Sequence, residues 1–172
     1  MKSKEVKAKV LEWLLYRMGY HAAFTEVQNA DVYAITRSKY SHEFEIKINK
    51  ADLMSELNCV KDITLLGVIN KPYKKLWKHQ KYLGKSSSHL PAVLPNYFSF
   101  VVPTELVKTA VEILTGTPYG VYELDGGIYK RKKAEFLHKE KITDEQLFYL
   151  LRKASTEVEV LRSGTNYLTP IK

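Results

Sequence analysis

Cysteine is nearly absent from this 172-residue chain: Cys59 stands alone. That excludes an intramolecular disulfide framework and any zinc site built from several thiolates, and it fits a reducing compartment. Cys59 also has no triad-like neighbours, so a small packed residue is a better description of it than a nucleophile. The opening MKSKEVKAKV lacks the apolar run of a signal peptide, and no stretch approaches the roughly 18 apolar residues of a membrane span. The expected location is therefore cytoplasmic, with no membrane partner. Glycine is sparse, at 8 residues, and Gly116, Gly120, Gly126 and Gly127 read as turn positions that make no phosphate-binding loop. The 5 histidines show no metal-ligand spacing. Acidic residues are missing altogether between Asp62 and Glu105.

What fills that acid-free interval is lysine. Lys71, Lys74, Lys75, Lys78, Lys81 and Lys85 all fall inside it and account for much of the formal charge of +8. Tyr73, Trp77 and Tyr82 are interleaved with them, so cations that neutralise phosphate stand beside flat rings on which a base can rest. The segment predicts a polyanionic partner as a class, DNA, RNA or an anionic surface, without choosing among them. An ordinary solvated helix whose aromatics pack on the core fits the same pattern. The run KRKK at 130–133 is a second basic cluster, read either as a phosphate contact or as a charged strand edge that deters pairing.

Hydrophobic residues make up 45% of the chain and charged residues 27%, the composition of a globular domain rather than a disordered tail. At this length one core suffices without a covalent or metal staple, and 1–172 is expected to be a single domain. Val6, Val10, Leu14 and Met18 recur in steps of four and predict a helix over 3–18 stopped by Gly19. Short β segments follow: AAFTEV, DVYAIT and HEFEIKI, with turn residues between them. A brief helix is expected at 51–58 and a basic insertion at 60–95. NYFSFVV at 96–102 reads as a buried central strand, Thr104 as the cap of the next helix, and 119–131 as a hairpin turning at Asp125-Gly126-Gly127. Thr143 and Gln146 form a capping box for a C-terminal helix over 143–163.

The chemistry concentrates between Asp31 and Lys47. A period of two puts Phe44, Ile46 and Ile48 on one face of the third strand and Glu43, Glu45 and Lys47 on the other. A tight connection through 37–41 folds the Asp31 strand back alongside, which brings Asp31 toward Glu45. Two carboxylates from neighbouring strands suit Mg2+ or Mn2+, hard cations that keep water ligands. A lysine two residues along suits phosphodiester chemistry, orienting or deprotonating the attacking water and stabilising transition-state charge. The same alternation also describes a half-exposed antiparallel strand.

These residues, TEVQNADV at 25–32 followed by EFEIKINKADL at 43–53, resemble the PD-(D/E)XK nuclease superfamily, and within it the MmcB-like DNA repair proteins. The likeness continues through LWKHQKYL, PNYFSFVVP and YGVYEL. It implies a restriction-endonuclease-like α/β domain: an antiparallel meander plus a parallel strand in one mixed sheet, with helices on both faces. It further implies that Asp31 and Glu45 bind the metal together with the carbonyl of Ile46, and that Lys47 is the catalytic lysine. Glu26 matches an acidic residue that precedes the aspartate in such proteins. Glu12 on the first helix is an alternative acid, and Glu43 shares the active face. Gln80 and Tyr82 resemble a polar helix that contacts the cleaved strand in relatives. Ala30 stands where the superfamily usually has proline, and the basic segment at 60–95 has no clear counterpart. The implied function is a metal-dependent deoxyribonuclease of DNA repair, recombination or phage DNA processing, acting in a bacterial cell or a phage-infected host, with a homodimer compatible with the pattern. The alternative is a nucleic-acid-binding or assembly protein that keeps the fold without the chemistry.

Overall fold

The computed structural model describes residues 3–27, 30–66, 74–85 and 94–163. Its centre is a six-stranded mixed sheet whose strands lie in sequence order. The strands are β1 (Ala22–Thr25), β2 (Val32–Ile35), β3 (Ser41–Ile46), β4 (Tyr97–Pro103), β5 (Gly120–Asp125) and β6 (Gly127–Lys132). The pairs β1·β2, β2·β3 and β5·β6 are antiparallel, whereas β3·β4 and β4·β5 are parallel. Parallel neighbours need long crossovers, and these carry the helices α2 (Lys50–Leu66), α3 (Lys74–Tyr82) and α4 (Thr104–Leu114). The remaining helices are α1 (Ser3–Glu12), continued by a π-helical turn over Trp13–Arg17, and α5 (Asp144–Ser163). The α/β class with a mixed sheet flanked by helices, expected from the sequence, is what the structure shows.

Both faces of the sheet are buried, and alternation decides what each meets. Val32, Ala34, Phe44, Ile46, Val101, Tyr122 and Leu124 pack against Val6, Val10 and Leu14 of α1. Phe98, Phe100, Val102 and Val121 pack on the opposite side against Leu53, Leu57 and Val60 of α2 and Leu106, Ala110 and Leu114 of α4. Tyr33 and Ile35 meet Leu150 and Leu147 of α5 in a third cluster. The central strand expected at 96–102 is β4, buried from Phe98 to Val102. The capping box forms as expected: the Thr143 N–H donates to Gln146 Oε1 at 2.9 Å and the Gln146 N–H to Thr143 Oγ1 at 3.2 Å.

Two local expectations are corrected. The helix after β3 runs 17 residues rather than the brief 51–58, because Leu53, Leu57, Val60 and Ile63 continue one apolar stripe onto β4. Thr104 begins α4 without capping it through its side chain; its hydroxyl bonds to Glu123 on β5 instead. On β6, an edge strand, Arg131 pairs with Glu123 and Lys132 donates to the carbonyls of Thr117 and Tyr119, so half of the KRKK cluster is tied to its own hairpin.

The α1 face contains one polar knot. His42 is 4% exposed, hydrogen-bonded to the Tyr20 hydroxyl at 2.9 Å and to Ser99 Oγ at 2.8 Å, and stacked on Phe44. Burial lowers its pKa to about 3, so the folded protein keeps this imidazole neutral. The unfolded chain takes up that proton near pH 6.5. Stability contributed by the neutral ring is therefore complete above pH 6.5 and declines as pH falls toward 3. In urea unfolding between pH 7 and 5 the buried His42 should contribute a loss approaching about 1.4 kcal/mol per pH unit. A slope unchanged between wild type and His42→Asn over that window would contradict the buried neutral His42.

Candidate active site

β3 carries the charged face predicted from its alternation, but that face is not solvated. Glu43 is fully buried and Lys47 is 4% exposed, roofed by α2 and α3. The half-exposed-strand description therefore fails: three ionisable side chains in a row lie under two helices. Such burial requires partners. Lys47 Nζ lies 2.7 Å from Glu45 Oε1, 2.8 Å from Glu56 Oε2 and 3.6 Å from Asp52 Oδ2. Lys78 Nζ, from α3, lies 2.5 Å from Glu43 Oε1 and 2.8 Å from Glu45 Oε2, over the Phe98 ring at 5.0 Å. The Tyr82 hydroxyl donates to Glu43 Oε2 at 2.6 Å. Each lysine thus bridges two glutamates, and Glu45 is shared between them.

Behind Lys47 runs a chain of buried polar groups. Glu56 accepts from His79 Nε2 at 3.1 Å, and His79 Nδ1 lies 3.0 Å from the Tyr119 hydroxyl. Burial depresses the His79 pKa against the opposing pull of Glu56 and drives the Tyr119 phenol well up. Glu56 can only accept and the phenol can donate, so the neutral imidazole carries its proton on Nε2. The Glu56 carboxyl is held well below the usual carboxylate range: burial opposes this, and the His79 hydrogen bond and the Lys47 charge outweigh it. Lys47 is pushed above the ordinary lysine range, since Glu45 and Glu56 overcome the desolvation that would lower it. Lys78 rises for the same reason, with Glu43 and Glu45 prevailing over burial. Desolvation moves the Glu43 carboxyl upward, against Lys78 and Tyr82.

Asp31 lies just ahead of β2. The β2·β3 register pairs Val32 with Phe44, and its continuation by one residue sets Asp31 opposite Glu45. The Asp31 Oδ2 accepts the Ile46 N–H at 2.8 Å, and its Oδ1 pairs with Lys7 of α1 at 2.7 Å. Lys7 also pairs with Glu26, which sits in the left-handed region at φ 57°, a conformation disfavoured for a residue with a Cβ. Asp31 thus lies between the Ile46 N–H and Lys7, which also holds Glu26; the sequence did not single out that lysine. Glu12 is exposed and lines a groove with Trp13, Arg17 and the Gly126-Gly127 turn; the α1 side chain at Asp31 is Lys7. Glu43 does join the face, as the inner member of the cluster.

The basic segment divides. Lys78 and Tyr82 point into the carboxylates and Gln80 is 3% exposed, so these three are interior groups rather than an outer phosphate-binding row. Trp77 is exposed, Lys81 lies over its ring at 5.7 Å, and Lys85 is exposed. Lys71 and Tyr73 lie outside the described residues, and so do the side chains of Lys74 and Lys75. Sequence reasoning missed Glu56, His79 and Lys7. Glu56 falls on the Leu53, Leu57, Val60 stripe, and a glutamate on an apolar stripe is the signal that marks it.

Comparison with known proteins places the fold and little more. No protein-family model and no curated protein matches the chain. A solved structure titled "SPO1766 protein of unknown function from Silicibacter pomeroyi" is similar with a TM-score of 0.56 at 14% identity, over 98% of this chain and 99% of that one. The likeness is one of fold. That near-complete mutual coverage shows the architecture recurring whole in another chain.

Among the described residues no three His, Cys, Asp or Glu side chains gather into a ready-made metal cage. The donors are nevertheless of the type a hard cation takes: six carboxylates (Glu26, Asp31, Glu43, Glu45, Asp52 and Glu56) meet three ammonium groups (Lys7, Lys47 and Lys78). Asp31, Glu45 and the Ile46 carbonyl would hold it, in place of contacts now supplied by lysines. The cluster itself yields a stability test. Glu56→Ala takes the acceptor from buried His79 and leaves Lys47 to Glu45 and Asp52, and should cost about 3–5 kcal/mol in urea unfolding, with Glu56→Gln, which keeps the His79 bond, costing less. A loss below about 1 kcal/mol for Glu56→Ala would show that the cluster does not brace the fold.

Proposed function

We propose that the chain is a metal-dependent phosphodiester hydrolase of the PD-(D/E)XK type acting on DNA, with Asp31, Glu45 and the Ile46 carbonyl as metal-binding groups and Lys47 as the catalytic lysine. One observation carries this reading: Lys47 is buried, charged and clamped between Glu45 and Glu56, directly beside the strand end where Asp31 is held against the Ile46 N–H. A fold needs no such arrangement, since burying charges costs more than apolar packing of equal volume. A bound Mg2+ or Mn2+ supplies charge neutralisation and water activation. The chain's own groups do the rest. Lys47 stays protonated between its glutamates, so it orients water and donates to a charged phosphoryl oxygen rather than serving as a base. Glu56, fixed by His79, aims the Lys47 ammonium. Trp77 and Lys81 of α3, and Lys85 just beyond its end, offer cations and a stacking surface to the strand.

The second reading, a nucleic-acid-binding protein without cleavage, is supported by the internal pairing of all four Asp31 and Glu45 oxygens. Incubation with supercoiled, linear, single-stranded and branched DNA, and with RNA, in Mg2+, Mn2+ or EDTA separates the two. The proposal expects cutting of DNA with metal, none with EDTA, and at least a hundredfold loss in Asp31→Asn, whose side-chain oxygen can still accept the Ile46 N–H. Absence of cutting with either metal on every substrate would leave binding alone.

A further inference from the structure

Lys78 holds an unusual position among the charged groups. Its two carboxylate partners differ in kind: Glu43 is fully buried and also bound by Tyr82, whereas the Glu45 side chain keeps 13% of its surface open. The Phe98 and Tyr82 rings lie 5.0 and 6.0 Å from the ammonium and add cation–π attraction on the inner side. The ammonium is therefore anchored inward, on Glu43, and reaches outward to the more open of its two carboxylate partners. Each Glu45 oxygen carries an ammonium, Oε1 that of Lys47, 5% exposed, and Oε2 that of Lys78, 18% exposed, so Oε2 is on the more open side, where Lys78 and an incoming cation meet.

We infer that Lys78 is a tethered counter-cation that positions Glu45 and competes with the divalent ion for Glu45 Oε2, thereby setting the metal concentration at which the site fills. The inference rests on the reading of Asp31 and Glu45 as metal-binding groups. When metal takes Glu45 Oε2, Lys78 remains on Glu43 and the buried carboxylate is never left unpaired. Removing the Lys78 charge relieves both the direct competition for the oxygen and the repulsion between an ammonium and a divalent ion a few ångströms away. Cation affinity must then rise. A lysine with a purely packing role would leave it unchanged or weaken it.

The test is calorimetric titration of Mn2+ alone into the full chain. Lys78→Met should bind Mn2+ at least tenfold more tightly than wild type, and Lys78→Arg, which restores the charge, should return the affinity toward the wild-type value. Lys78→Met strands Glu43, so a second variant, Glu43→Gln with Lys78→Met, removes the buried pair together and keeps the question open to measurement if the single variant fails to fold; it should also bind more tightly than wild type. Mn2+ bound equally or more weakly by the variants than by wild type would overturn the inference and leave the metal-site reading intact. No Mn2+ bound by wild type or any variant would overturn both.

Discussion

Charge burial on β3 is the constraint around which this molecule is organised. Glu43, Glu45 and Lys47 alternate onto a face that α2 and α3 cover, and none of them can remain there alone. Lys78 and Glu56 must be delivered to that face by helices from two different segments, His79 must in turn satisfy Glu56, and Tyr119 must satisfy His79. The positions of α2 and α3 over the sheet are therefore fixed by ion pairs as well as by the apolar stripe of Leu53, Leu57 and Val60. An apolar face of the same size would have been easier to stabilise. Retaining five charges there is the observation on which the proposed function rests.

The topology gives this cluster an open edge. β3, β4 and β5 run parallel, so their C-terminal ends share one side of the sheet, where ligands of α/β proteins commonly bind. Asp31 belongs to the same edge because β2 enters antiparallel and begins where β3 ends. Lys7 from the α1 face and Lys47 from the α2 face approach that edge from opposite sides. The two halves of the core, built on Phe44 and on Phe98 and Phe100, thus meet at the site without sharing residues.

How much of this was legible in the sequence follows the range of each interaction. β1, β2, β3, the central β4 and the Thr143–Gln146 capping box are local patterns of period or pairing, and each could be read directly. The placement of Asp31 opposite Glu45 was also legible, because hairpin register is set by a short connection. Lys78 was readable as a cation but not as an interior one: in KKLWKHQKY nothing local separates the inward positions 78, 79 and 82 from the outward 77 and 81. Their orientation comes from the glutamates on β3. Glu56 was missed because the helix carrying it was expected to end near residue 58, before Val60 and Ile63 could reveal the stripe on which Glu56 sits. Lys7 answers to Asp31 across 24 residues of sequence, and nothing in the periodicity of α1 distinguishes it from Lys4 or Lys9.

The cation site proposed for Asp31 and Glu45 is tested most directly by anomalous diffraction from crystals grown with Mn2+. One anomalous peak is expected, bounded by Asp31, Glu45 and the Ile46 carbonyl, with Lys78 still resting on Glu43. A peak elsewhere, or none at saturating Mn2+, would contradict it.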